Sequence, residues 1–127
     1  LGQREPSIYG TGTMETYMAE LQKLYPAVEL EYFQSNVEGL MIDRLQATLR
    51  DGTNGVVLNA GAYTHTSIAL GDCIRSLTCP VVEVHISNVY QREEYRHRSM
   101  ISAACKGIIA GFGLHSYRLG IEALLKD

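Results

Sequence analysis

Two short strand-like runs, each followed by a polar stretch, constrain the fold of this chain most strongly. The first run covers residues 55–58 and leads into residues 59–67, which carry an amide, an imidazole and four hydroxyls. The second covers residues 81–86 and leads into Ser87 and Asn88. Short Val-rich runs are typical of buried strands in a parallel sheet. Because ligands bind beyond the carboxyl ends of such strands, the polar stretches indicate a small-molecule site.

The remaining segments alternate between helical and strand-like patterns. Apolar residues at helical spacing predict a first helix from Met14 to Tyr25, capped by Thr13 and ended by Pro26. Alternation then predicts a strand over residues 28–32. The later patterns predict a capping box over residues 35–38, helices over residues 37–49, 66–77 and 115–125, and a short strand over residues 107–111. Strands separated by helices indicate an α/β fold, with a doubly wound parallel sheet and helices on both of its faces.

Composition and charge limit the class of protein. The chain has 127 residues, 46% of them hydrophobic, which predicts a single domain over residues 1–127. The net charge of −3 and the lack of a long basic block argue against a nucleic-acid partner. No apolar run approaches the ~20 residues of a membrane span, so no membrane partner is expected. Three cysteines without C-x-x-C spacing suggest a reduced, cytoplasmic chain without a metal site.

The first residues do not fit the start of a doubly wound sheet. The chain opens without Met on a loop-like segment, residues 1–6, that leads into the first helix. A doubly wound sheet usually begins with a strand before that loop. We therefore expect that the domain is N-terminally incomplete and that its first strand is missing from this chain.

Five motifs occur in order along the whole chain. They are Arg4-Glu5-Pro6-Ser7-Ile8-Tyr9-Gly10, Phe33-Gln34-Ser35-Asn36, Leu58-Asn59-Ala60-Gly61-Ala62-Tyr63-Thr64-His65-Thr66-Ser67, Glu83-Val84-His85-Ile86-Ser87-Asn88 and Arg92-Glu93-Glu94-Tyr95-Arg96. Together they resemble type II 3-dehydroquinate dehydratase. The resemblance implies a flavodoxin-like lyase of the shikimate pathway of aromatic amino acid biosynthesis, or of quinate catabolism. Such an enzyme converts 3-dehydroquinate to 3-dehydroshikimate by anti elimination through an enolate, without metal or cofactor.

The resemblance also implies which residues catalyse the reaction. Tyr9 is the expected base and Arg4 its activator. A phenol has a pKa near 10, so only a nearby cation makes it a useful base at neutral pH. His85 is the expected acid, and Glu83 can support it because alternate strand residues share a face. The alternatives are a surface loop for Arg4 and Tyr9, and a buried Glu–His pair without a catalytic role.

We expect several neutral hydrogen-bonding groups and one cation to bind the substrate. The residues implied by the resemblance are Asn59, His65, Asp72, Ile86, Ser87 and Arg96, with Arg92 as possible support. Asp72 follows His65 by two turns of the predicted helix, so both can share a face, and in the family this Asp contacts the substrate from a neighbouring subunit. The alternative for Arg92 and Arg96 is a solvated helix start with charge pairs.

The assembly and the competing functions follow from the same resemblance. The family forms trimers grouped into a homododecamer, which is the expected state of this chain. The missing first strand would carry an Asn-containing motif that helps to hold a water beside the enolate. Its absence leaves open a weakly active or non-catalytic homologue. A flavin carrier lacks its phosphate loop here, and a receiver module would need an Asp where the chain has Asn59.

Overall fold

The computed structural model describes residues 14–126, with only the backbone at positions 95 and 96. Its helices and strands are α1 (Met14–Leu24), α2 (Glu38–Ala47), β1 (Val56–Leu58), α3 (Ile68–Ser76), β2 (Val81–His85), β3 (Gly107–Ala110) and α4 (His115–Leu125). Short 3-10 helices lie at Gly61–His65, Val89–Gln91, Glu94–His97 and Ser102–Ala104. The chain groups into two compact units, one up to Gln34 and one from Ser35 onwards. The single domain over residues 1–127 therefore stays a prediction.

The three strands form one parallel sheet in the order β1-β2-β3. Val56 pairs with Val81 at the start of β1, and His85 pairs with Ala110 at the end of β2. Every residue of the central strand β2 is buried. The carboxyl ends of β1 and β2 therefore lie side by side, and each opens into one of the polar stretches singled out in the sequence.

Helices cover both faces of this sheet, as the sequence predicts. Helix α4 packs on one face, where a Cβ on Gly120 would lie 2.9 Å from Val57 Cγ1 and 3.3 Å from Val84 Cγ1. The other face carries Val56, Leu58 and Val81, which pack with buried residues of α2 and α3 into one core. Glu83 and His85 follow Val81 at alternate positions of β2, so they lie on this second face.

A close backbone contact holds the segment around residue 100 against α3. A Cβ on Gly71 would lie 2.4 Å from the carbonyl oxygen of Met100, which is too close for any residue but glycine. The Met100 N–H donates to the carbonyl oxygen of Thr64 at 2.7 Å. These contacts fix the 3-10 helix Ser102–Ala104 beside the sheet, where Ile101 is fully buried.

Most predicted elements are confirmed, but two local predictions are wrong. Residues 28–32 form no strand in the described part of the chain, since the Gln22 side chain donates to the Val28 carbonyl and accepts from the Leu30 N–H. The capping box fails because Val37, not Ser35, is the N-cap of α2. Ser35 instead accepts a hydrogen bond from the Val37 N–H. The predicted Thr13 cap lies outside the described residues.

Candidate active site

The central strand carries a buried pair of ionisable side chains. Glu83 is 2% exposed and His85 is 6% exposed. The His85 Nε2–H donates to Glu83 Oε2. A carboxylate can only accept, so this bond puts a proton on Nε2 and fixes the orientation of the ring. The described residues provide no hydrogen bond to His85 Nδ1, which makes this nitrogen the one that can exchange a proton with a bound molecule.

The second carboxylate oxygen of Glu83 is also satisfied. Ser102, from the 3-10 helix Ser102–Ala104, donates to Glu83 Oε1 at 2.5 Å. The negative charge of the Glu83 carboxylate also acts on the thiol of Cys105. Burial in the first place, and the negative charge of Glu83 in the second, raise the pKa of the Cys105 thiol to about 12. The site therefore holds an ordered carboxylate and a thiol that stays protonated at neutral pH.

A second histidine faces the first. His65 ends the 3-10 helix that follows β1, and its Nδ1–H donates to the carbonyl oxygen of Arg98 at 2.6 Å. The His65 and His85 rings are stacked, with centroids 6.2 Å apart and planes inclined by 21°. Because the Arg98 carbonyl fixes His65 and Glu83 fixes His85, the two imidazoles have defined orientations.

A small cavity of about 20 Å³ lies against these two rings, and we call it the His85 cavity. It is lined by Thr64, His65, Glu83, His85, Val89, Tyr90, His97, Arg98, Ser99, Ser102, Ile108 and Ala110. Glu83 is the only acidic residue among these lining residues, and its carboxylate is already paired with His85. The histidines and Arg98 leave a surplus of basic groups, which favours an anionic molecule beside the cavity.

Asn59 lies at the end of β1 but does not line the His85 cavity. Its Oδ1 accepts from the Gly61 N–H at 3.0 Å, and its Nδ2 donates to the Tyr117 hydroxyl at 2.9 Å. The amide therefore ties the loop after β1 to helix α4. At the end of β2, the Ile86 carbonyl accepts from the Gly113 N–H at 2.9 Å, and Ser87 is half-buried.

Of the other predicted site residues, Asp72 and Arg92 do not line the His85 cavity, and Arg96 cannot be placed fully. Asp72 is exposed and forms an ion pair with Arg75 at 3.2 Å. It does not share a helix with His65 as predicted, because Ser67 caps α3 after the 3-10 helix has ended. Arg92 lies 3.8 Å from the Glu93 carboxylate. Arg96 belongs to the 3-10 helix Glu94–His97, where only its backbone is described.

The predicted base and its activator, Tyr9 and Arg4, lie outside the described residues. Conversely, Thr64 and Ser102 line the His85 cavity but had no assigned role, although Thr64 belongs to the polar stretch of residues 59–67. Both sit on short 3-10 helices, which have no hydrophobic period that could place their side chains in advance. The sequence motifs do not indicate that residues 99–102 pack beside Glu83 and His85 of β2.

The described part of the chain shows neither a metal-binding cluster nor a membrane-spanning helix. Within residues 14–126, no group of three or more His, Cys, Asp or Glu side chains is arranged to hold a metal ion. No helix in this range combines the length and the apolar character needed to cross a bilayer. The described site offers a buried carboxylate–imidazole pair next to a second imidazole.

Comparisons with known proteins agree over almost the whole chain. The family model described as "Dehydroquinase class II" matches residues 1–125. A "3-dehydroquinate dehydratase" of Chlorobaculum tepidum is 55% identical over 126 residues, which are 98% of this chain and 85% of that protein. Crystal structures of type II dehydroquinases from Butyrivibrio crossotus and Propionibacterium acnes are 43% and 40% identical, each with a TM-score of 0.90. They match 98% and 100% of this chain and 88% of their own.

Proposed function

We propose a residue-level mechanism for this chain, which belongs to the class II dehydroquinase family and dehydrates 3-dehydroquinate in the shikimate pathway. Its fold is the flavodoxin-like α/β fold of its structural neighbours. The relatives that are about 50% identical over nearly the full chain are named for this reaction, so the alternative of a non-catalytic homologue is not favoured. The observation that carries the mechanism is the buried Glu83–His85 pair.

His85 acts as the acid that protonates the departing hydroxyl. Loss of hydroxide from carbon is slow unless the oxygen receives a proton as the bond breaks, and a positioned imidazole supplies it. Glu83 binds Nε2, so the proton leaves from Nδ1. The carboxylate stabilises the imidazolium before the transfer and keeps the ring from turning. Ser102 supports the pair by holding the second oxygen of Glu83.

Tyr9 takes the proton from the carbon next to the ketone, and Arg4 favours its phenolate. This part of the mechanism is supported by the resemblance of the motif at residues 4–10 to the family, and the match to the family model spans both positions. An acid and a base in separate side chains suit an anti elimination, since the proton and the hydroxyl leave from opposite faces of the substrate ring. The enolate between the two steps needs no covalent bond to the protein.

Substrate binding rests on the residues around the carboxyl ends of the strands. The substrate is an anion with several hydroxyl groups, which suits the basic surplus beside the His85 cavity. His65 provides a fixed imidazole for a ring hydroxyl. The remaining contacts are assigned to Asn59, Asp72, Arg92, Arg96 and the backbone N–H groups of Ile86 and Ser87. The Asn59 amide already forms hydrogen bonds with Gly61 and Tyr117. To bind the substrate, it must give up one of these bonds or share it with the substrate.

The test compares two histidine variants of the full chain. We expect His85→Asn to lower kcat for 3-dehydroquinate by about 10²–10⁴-fold, the usual contribution of general acid catalysis. His115→Asn is the matched control, because His115 is exposed at the start of α4 and should leave kcat unchanged. Tyr9→Phe should lower kcat to a similar degree while the ligand still binds. Wild-type turnover by the His85 variant would exclude this residue as the acid.

We also assign to the chain the family's assembly and a cytoplasmic location. A homododecamer built as a tetramer of trimers would let Asp72 reach the site of a neighbouring subunit, and its exposure and position on α3 fit such a role. Light scattering on the purified protein should give about twelve times the chain mass of 14.1 kDa. A monomeric, fully active enzyme would contradict both the dodecamer and the role of Asp72.

A further inference from the structure

The Thr64 hydroxyl has an unusual environment for a buried polar group. Thr64 is 0% exposed, and its Oγ1 finds no hydrogen-bond partner among the described residues. Its backbone is fixed, because its carbonyl accepts from the Met100 N–H. A buried hydroxyl without a partner is unfavourable and therefore rare in folded proteins, and those that persist at a functional site usually bind a water or a ligand.

The size of the His85 cavity limits what can bind there. Thr64 lines this cavity together with His65, His85 and Ser102, and its volume is about 20 Å³. A water molecule needs at least roughly 10–15 Å³ and two or more polar partners. The cavity therefore accepts one water, but it is far too small for a six-membered ring with its substituents. The body of the substrate must lie outside it, with at most one small group reaching in.

We propose that the His85 cavity is a single-water site, and that the water released by the dehydration is formed there against the Thr64 hydroxyl. This inference rests on the proposed role of His85 as the acid. The leaving hydroxyl projects towards His85 and hydrogen-bonds to Thr64 Oγ1. Thr64 is then a catalytic residue in the strict sense, because it touches the reacting oxygen.

The step balances without any further reactant. The bond between the ring carbon and the hydroxyl oxygen breaks, and its electron pair goes to the oxygen. The oxygen takes the proton from His85 Nδ1 and becomes neutral water, while the enolate electrons form the new carbon–carbon double bond. His85 is left neutral and recovers a proton from solvent, and the base returns to solvent the proton that it removed. Thr64 stabilises the oxygen as its charge develops and keeps the new water away from the product.

Two threonine variants separate this role from packing. Thr64→Val keeps the shape of the side chain and removes the hydroxyl, so we expect kcat to fall about tenfold, the effect of one lost hydrogen bond in the transition state, with KM unchanged. Thr64→Ser keeps the hydroxyl and should recover most of the lost rate. The matched control is Thr66→Val, because Thr66 lies two residues further on and is exposed. A purely structural Thr64 would instead lower the melting temperature without the split between kcat and KM.

A crystal structure of the wild-type enzyme at high resolution provides the second readout. We expect one ordered water within hydrogen-bond distance of Thr64 Oγ1, and its loss in Thr64→Val. A dry cavity in the wild type overturns the proposal even if the valine variant cannot be purified. Wild-type kcat in a folded Thr64→Val protein also overturns it. If His85→Asn is inactive while Thr64→Val is not, only this inference fails and the proposed function stands.

Discussion

At the scale of single residues, the chemistry depends on how one buried carboxylate is satisfied. An ionised carboxylate that is removed from water is unfavourable unless charged or polar groups compensate for the lost hydration. Glu83 has such a partner on each oxygen, His85 on one and Ser102 on the other. Loss of either partner should therefore affect both stability and the orientation of the acid.

Ser102 holds one oxygen of the buried Glu83 carboxylate. We expect Ser102→Ala to lower the free energy of unfolding by about 1–3 kcal/mol, the cost of leaving a buried charged acceptor short of one hydrogen bond. It should also lower kcat severalfold, because a less constrained Glu83 orients His85 less well. Denaturant titration and steady-state kinetics measure both effects.

Ser76→Ala serves as the control for Ser102, since Ser76 also donates one hydrogen bond, to the Cys73 carbonyl at the end of α3. It should leave kcat at the wild-type value. Equal activity of Ser102→Ala and Ser76→Ala would show that the bond to Glu83 has no part in catalysis.

The buried Cys105 thiol makes the stability of the protein depend on pH in the alkaline range. Burial and the Glu83 charge raise the pKa of its thiol to about 12, above the ordinary value of 9.0. The folded protein thus keeps this proton where the unfolded chain has lost it, so the contribution to stability is complete below pH 9 and is lost as the pH rises to 12. Near pH 9, iodoacetamide should modify Cys105 far more slowly in the native protein than in urea. Similar rates in the two states would refute the raised pKa.

At the scale of secondary-structure elements, close helix–sheet contacts position the site. Helix α4 approaches the sheet at Gly120, where a side chain would meet the stiff methyl groups of Val57. Helix α4 also carries Ser116, which donates to the His85 carbonyl at 3.2 Å. A change in the distance between α4 and the sheet would therefore also move His85 on β2.

Two glycine substitutions in helices should have opposite effects. Gly120→Ala should destabilise the protein by about 1–3 kcal/mol through overpacking against Val57, because a β-branched side chain cannot move aside easily. Gly39→Ala is the counterpart in α2, where an added Cβ meets nothing within 4 Å. It should stabilise by up to about 1 kcal/mol through helix propensity. Thermal unfolding measures both, and a rise in melting temperature for Gly120→Ala would contradict the close packing.

The elements were largely predictable from the sequence, whereas some partners of the site were not. A continuous apolar run marks β1, and a Val-rich run marks β2, where the alternation of side chains puts Glu83 and His85 on one face. Residues 28–32 show the same kind of alternation and yet form no strand, because the side chain of Gln22 binds their backbone. Thr64 and Ser102 reach the acid only through the packing of 3-10 helices on the sheet, which no local pattern encodes.

At the scale of the whole molecule, the distribution of charge suits an anionic substrate. The chain has a net charge of −3, yet the residues around the His85 cavity include three histidines and Arg98 beside one paired carboxylate. Basic side chains therefore outnumber acidic ones around the His85 cavity, although acidic residues outnumber Lys and Arg in the chain as a whole. Such a local field favours the approach of a carboxylate to the acid without making the protein as a whole basic.

The most direct test of the account is the ultraviolet absorbance of the conjugated enone when purified protein is mixed with 3-dehydroquinate. We expect steady formation of the product by the wild-type chain, unchanged by EDTA, and its near loss in His85→Asn. A wild-type protein with native circular dichroism that forms no product would contradict the assignment of this chain as a dehydratase.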